Sequence, residues 1–351
     1  MKNAAYDRSH ADFAIARVQN VSRETSIAAP PISLELALRA ACVIEVNVPK
    51  PGNVHPESDA AGATYPDFLR SADAIAPVLA GAALRGVGPA VLEAVRATRR
   101  VVDHNTNLGI VLLLAPLAAV PPEKKLADGI DDVLANTTVD DARDVYEAIR
   151  LAAPGGLGVV AQQDVARPPS CTLVDAMRLA AERDLVARQY AGGFREVLDD
   201  GVPCLEAAIS VAETVGIHAF AGARGSRHAS EHAHPTRGRR ESMAPPHEIG
   251  GRLSGWQEAV VRLHLHLMSR YPDSLIARKC GRATAEEAAR RAADVLSAGW
   301  PETKRGLRRC GELDLWLRAD GNRRNPGTTA DLVAACLFAA IRDRRVALSA
   351  T

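Results

Sequence analysis

Apolar residues in this chain recur at helical spacing and nowhere alternate over the length of a strand, so helices must bury the core. Val159 and Val160 come nearest to a strand and are too few to make one. From Ser33 onward, Leu34, Leu38, Ala41 and Glu45 fall on one helical face, and Pro49 and Pro51 stop the pattern. Asp67 is expected to start a second helix, and Pro89 to be the first residue of a third that runs to about residue 102. The apolar run from Leu108 to Val120 is too short to span a bilayer and is interrupted by Pro116, so it reads as a buried core helix. Thr138 with Asp141 signals a helix cap, and Pro154-Gly155-Gly156 ends that helix.

Leu173 to Tyr190 and Leu253 to Arg270 are also expected to be helical. Thr284 with Glu287 reads as a capping box before an Ala-rich helix, a further helix reaches about Ala319, and a last one begins at Thr329. The expectation is an all-α fold of about ten helices. It would be a single large globular domain over residues 31–345, with a polar N-terminal extension over 1–30. Residues 218–252, rich in His and Arg, read as one long mobile insertion. His228, His232 and His234 within it have zinc-like spacing, but the segment is too polar and Gly-rich for a firm helix, and a disordered loop is the favoured reading.

Composition narrows the function. Aromatics are only 4% of the chain, so Ala, Leu and Val must fill the core. The net charge of +1 gives no general affinity for nucleic acid, and any anion site must be local. Six scattered cysteines without a C-x-x-C pair read as reduced thiols in a cytosol. Met1 to His10 lacks the apolar core of a signal peptide. A cytoplasmic protein without membrane or nucleic-acid partners is expected, working alone or as a homodimer.

Four segments carry residues suited to chemistry. In the first, Glu45 precedes Pro49-Lys50-Pro51-Gly52-Asn53-Val54-His55. A stiff turn there presents Lys50 at a helix end as a point charge for phosphate, and glycine permits close approach of a ligand. Glu45, on an apolar stripe, needs a partner, a metal or a catalytic reason. A plain helix-stopping turn with a salt-bridged Glu45 reads the same way. In the second, Asp103-His104-Asn105-Thr106-Asn107-Leu108-Gly109 crowds polar groups at the start of an apolar helix, a place that favours an anion. Ordinary capping explains one of those residues, not four.

In the third, Asp273 and Ser274 precede Arg278 and Lys279, acid beside base as Mg²⁺-nucleotide binding requires, or else a capped turn with solvated charges. In the fourth, Asn325-Pro326-Gly327-Thr328-Thr329-Ala330-Asp331 brings a loop to a helix start. Backbone N–H groups can cradle phosphate there and Asp331 can hold Mg²⁺, while Thr328 with Asp331 also spells a capping box. Asp184, with Arg188 and Tyr190, reads as part of a solvated face on a long helix.

Taken in order, these motifs resemble the triphosphoribosyl-dephospho-CoA synthase family from about residue 35 to 342, the insertion apart. Pro49-Lys50-Pro51-Gly52, Gly62 with Asp67, Asn105-Thr106 with Gly109, Asp273-Ser274 with Arg278-Lys279-x-Gly281, and Asn325-Pro326-Gly327 with Ala330-Asp331-Leu332 carry the resemblance. Asn107-Leu108 stands where the family has His-Lys, and Thr64 where it has histidine.

The resemblance implies that ATP gives its triphosphoribosyl group to a ribose hydroxyl of dephospho-CoA and releases adenine. It implies a triphosphate site of Lys50, Arg278, Lys279 and Asp331, with Mg²⁺. Gly52, Asn53, Asn105, Thr106, Asn107, Ser274, Asn325, Gly327, Thr328 and Thr329 would line the nucleotide site. Glu45, Asp67 and Asp273 are candidates for stabilising the oxocarbenium-like transition state or acting as base, and His55 or His104 for acid. Glu45, Asp273 and Asp331 are the candidate metal ligands. A different acceptor, a non-catalytic nucleotide-binding protein and a helical scaffold are the competing readings.

Overall fold

The computed structural model describes residues 17–20, 32–59, 62–153, 164–216 and 253–349. The insertion over 218–252, with His228, His232 and His234, lies outside the described residues, as does the N-terminal extension apart from 17–20.

The fold is all-α. Ser33 opens α1 (Leu34–Asn47) with its hydroxyl on the Leu36 N–H, and α1 ends before the proline turn. The second helix, α2 (Tyr65–Leu79), begins two residues ahead of Asp67. Thr64 is its cap, and Asp67 reaches back to the Thr64 backbone. A short α3 (Ala82–Arg85) precedes α4 (Val87–Val101), so Pro89 is the third residue of its helix rather than the first. Next come α5 (Leu108–Ala119), α6 (Leu126–Ala135) and α7 (Val139–Ala152), the last capped by Thr138 and Asp141 as expected.

The segment read as one helix over 173–190 is two, α8 (Leu173–Ala180) and α9 (Leu185–Ala191). Asp184 divides them and accepts from the Val186 and Ala187 N–H groups, so it is a cap, not part of a solvated face. A π-helical turn (Glu196–Gly201) leads into α10 (Val202–Gly216). Then follow α11 (Gly255–Arg270), α12 (Ser274–Cys280), α13 (Arg282–Ser297), α14 (Lys304–Asn322) and α15 (Gly327–Arg342). Both later capping-box expectations fail for one reason, that the helix starts earlier. Thr284 lies inside α13 and bonds the Cys280 carbonyl, and Thr328 lies inside α15. The strands β1 (Arg17–Asn20) and β2 (Val346–Ser349) pair antiparallel at the periphery.

Two helices form the centre. In α5 and α15 nearly every side chain is buried, so both are apolar all round and packed on every side. They contact each other, and α1 packs on α15. Pro116 inside α5 has no N–H to give the Leu112 carbonyl one turn earlier. The Tyr190 hydroxyl of α9 supplies that bond instead, at 2.6 Å. All six cysteines are free thiols, and burial pushes those of Cys42 and Cys310 up to about 12. Among the described residues no helix is long and apolar enough to cross a membrane.

Candidate functional site

The start of α15 is where the sequence motifs meet. Asp273, fully buried, caps α12 through Oδ1 on the Ile276 N–H at 2.9 Å. Its Oδ2 takes the Thr329 N–H at 2.7 Å and the Thr329 hydroxyl at 2.9 Å. Ser274 Oγ donates to Thr328 Oγ1 and accepts from the Leu185 N–H. The starts of α9, α12 and α15 are thus tied at one point. Asp273 was expected as a catalytic or metal group. Its oxygens are taken up by this tie, which makes it a strut.

The proline turn joins the same region by its backbone. Gly52 has φ of +78°, and a Cβ there would stand 2.8 Å from Pro326 Cδ. Its N–H donates to Asp314 Oδ1 at 2.7 Å. Arg318, paired with Asp314, reaches the Asn53 carbonyl at 2.8 Å and Ser58 Oγ at 2.9 Å. Asn53 Nδ2 donates to Asn325 Oδ1 at 2.8 Å. Asp314 and Arg318 were not singled out in the sequence, where an i,i+4 acid–base pair resembles any helix surface.

Lys50 corrects the expectation placed on it. It is fully buried rather than presented at the helix end. Its Nζ lies 2.9 Å from Glu45 Oε1 and donates to the Glu45 and Val48 carbonyls. The expected partner for Glu45 is therefore Lys50, whose ammonium is turned into the core. His264 lies nearby in the core, and burial with the Lys50 charge drives its pKa down to about 3, so the ring is neutral.

Asn105 Oδ1 accepts from the Leu108 N–H at 3.0 Å, and Thr106 Oγ1 meets Ser71 Oγ at 2.6 Å. Asn107 accepts from Thr98 Oγ1, while its buried Nδ2 has no hydrogen-bond partner. Gly109, in the first turn of α5, faces Asp331, just past the first turn of α15. A Cβ on Gly109 would lie 2.5 Å from Asp331 Cγ.

Asp331 is half-buried. Burial, then repulsion from Glu45, Asp273 and Asp184, raise its pKa well above the ordinary carboxylate range, with Arg278 opposing. Asp273 is raised by burial against the pull of its hydrogen bonds. Asp67 forms a separate corner with Thr64, Arg70 and His104. Burial lifts its pKa, but the Thr64 hydrogen bonds and the Arg70 and His104 charges hold it below the ordinary value. His55 is buried in the loop after the proline turn, its Nδ1 accepting from the Glu57 N–H. Arg278 and Lys279 part company. Arg278 lines a cavity with Asp184 and Ser274, while Lys279 lines an outer groove with Trp316, Arg323 and Arg324.

The starts of α5 and α15 thus meet at Gly109 and Asp331 in an all-α protein, with buried carboxylates nearby and the unpaired Asn107 amide at the head of α5. The chain matches the family described as CitG: ATP:dephospho-CoA triphosphoribosyl transferase over residues 32–220 and 247–349, and it belongs to that family. It resembles a crystal structure from Archaeoglobus fulgidus described as a triphosphoribosyl-dephospho-CoA synthase. The identity is 26% and the TM-score 0.53, covering 79% of this chain and 99% of that one. No curated protein matches the chain.

Proposed function

We propose that this chain is a cytoplasmic enzyme that transfers the triphosphoribosyl group of ATP to dephospho-CoA and releases adenine. Family membership supports the reaction class. The observation that carries the reading is Asp331, a half-buried carboxylate of raised pKa just past the first turn of α15, directly against the first turn of α5.

In this reading the Asn107 amide receives phosphate oxygens, together with those N–H groups at the starts of α5 and α15 that Asn105 and Asp273 do not already cap. The glycosidic C–N bond of ATP breaks as a ribose hydroxyl of the acceptor forms the new C–O bond. Positive charge develops on the ribose between them and is stabilised by the carboxylates of Asp331 and Glu45. A carboxylate whose pKa is raised above the ordinary range is a stronger base than a free one and is suited to take the hydroxyl proton, as Asp331 is. Adenine leaves carrying a proton on a ring nitrogen, for which His55 or His104 is the candidate donor, and the hydroxyl proton taken up by Asp331 balances it.

Among the described residues, no group of three or more His, Cys, Asp or Glu side chains is arranged to hold a metal ion. The described residues alone do not provide a metal cage. Mg²⁺ usually binds through one or two carboxylates completed by phosphate oxygens, and Asp331 is the residue that fits this role. A bound Mg²⁺ would offset the triphosphate charge.

The test is adenine release from ATP and Mg²⁺, with and without dephospho-CoA, read by chromatography and mass. Acceptor-dependent adenine with a triphosphoribosylated product is expected. No adenine from a folded, ATP-binding protein would overturn the reading in favour of a binding role or another acceptor.

A further inference from the structure

A cavity of about 510 Å³ is enclosed by α7, α8, α9 and α12, a size ordinary for a small-molecule site. Its walls are largely aliphatic, with Leu112, Val145, Ile149, Leu173, Met177 and Ala277 among them. Asp184, Arg278 and Ser274 line it where α9 and α12 begin. That edge adjoins the start of α15, because Ser274 Oγ bonds Thr328 Oγ1 at 3.1 Å. A chamber with aliphatic walls and charged residues at its margin, Asp184 and Arg278 among them beside the start of α15, has the layout of a nucleotide-base subsite.

We propose that this cavity binds the purine base of the nucleotide donor, and that Asp184 and Arg278 select adenine. The proposal rests on the ATP-dependent reading above and adds the subsite and its specificity. Adenine offers an exocyclic amine donor beside a ring-nitrogen acceptor on one edge. Asp184 spends Oδ1 on the cap of α9, at 2.9 Å to the Val186 N–H and 3.0 Å to the Ala187 N–H. Its Oδ2 remains to accept from the amine. Arg278 Nη1 stands 4.0 Å from that same Oδ2, and Arg278 Nε is buried without a hydrogen-bond partner. That N–H is the donor for the ring nitrogen. Guanine would instead set its carbonyl oxygen against the Asp184 carboxylate, leaving two acceptors face to face.

The test is calorimetric binding of ATP, GTP and inorganic tripolyphosphate to the full chain, so it does not depend on turnover. Wild type is expected to bind ATP at least about tenfold more tightly than GTP or tripolyphosphate. Asp184→Asn keeps a capping oxygen, since Asn caps as well as Asp, but turns an amide N–H toward the base. It should weaken ATP about tenfold, strengthen GTP and leave tripolyphosphate unchanged. Ala277→Leu fills the chamber and should weaken ATP but not tripolyphosphate.

Equal binding of all three ligands by wild type would overturn the proposal. So would an ATP-to-GTP ratio untouched by Asp184→Asn. If wild type bound neither ATP nor tripolyphosphate, the ATP-dependent reading itself would fail, and that result is distinct from loss of base selectivity alone.

Discussion

Gly109 and Asp331 share one space, for a Cβ on the first would stand 2.5 Å from Cγ of the second. Alanine favours a helix over glycine by about 1 kcal/mol, so on propensity alone Gly109→Ala should stabilise α5. The close approach reverses that expectation for function. The variant should fold with a Tm near wild type, because the short Asp331 side chain can swing aside. Adenine release should fall at least about tenfold once the carboxylate is displaced. A fully active Gly109→Ala would show that the position of Asp331 is unimportant.

Asp331 also sets a pH dependence. Its pKa in the folded chain lies well above the ordinary value of 3.8. The folded state therefore holds more protons than the unfolded one, and stability falls as pH climbs from about 3.8 toward the raised value. Asp331→Asn removes that loss. Thermal melts should show the variant more stable than wild type at neutral pH, with the gap closing as pH drops toward 4. The same variant should be inactive in adenine release. A constant gap across pH would disprove the linkage.

The buried Glu45–Lys50 pair predicts a different signature. Removing one member of such a pair leaves an uncompensated charge in the core and costs about 3–5 kcal/mol. Lys50→Met should therefore lower the urea midpoint sharply while leaving the m-value unchanged. The paired change Glu45→Gln with Lys50→Met should recover most of that loss. Because Lys50 is buried against Glu45, loss of ATP affinity should track loss of folding, and calorimetry on the folded fraction reads this directly.

Asp273 should behave as a strut. Asp273→Ala removes the α12 cap and strands the buried Thr329 hydroxyl and N–H, a loss of about 2–3 kcal/mol. Asp273→Asn keeps one acceptor oxygen and should fall between the alanine variant and wild type in thermal melts. Equal stability of all three would remove Asp273 from this role.

Much of the helical pattern was legible because start signals carry local chemistry. Ser33 and Thr138 bond backbone N–H groups within three residues, so their neighbours alone reveal them. The failures arise where sequence leaves two starts open. Thr284 with Glu287 and Thr328 with Asp331 satisfy the capping pattern, yet their helices begin earlier. Asp184 divides α8 from α9 although apolar periodicity runs on through both. The helix α12, at seven residues, is too short to show a period.

The site was legible by motif but less so by role. Glu45 on an apolar stripe pointed to a buried carboxylate, and one stands there. Nothing local showed that Lys50 would fold back beneath it. Nor did the sequence show that Asp314 and Arg318, some 260 positions from the proline turn, would hold it in place.

The bond from Tyr190 to the Leu112 carbonyl has a consequence for motion. A helix whose backbone is complete can open on its own, but α5 depends at its middle on a hydroxyl from α9. Opening α9 strands a carbonyl in the core of α5, so the two segments should open together. In native-state hydrogen exchange, amides of α5 and α9 should share one opening free energy, and Tyr190→Phe should lower both by the same amount. Since α5 carries Gly109 and α9 begins at Asp184, the proposed phosphate and base subsites would then loosen or hold as one cooperative unit.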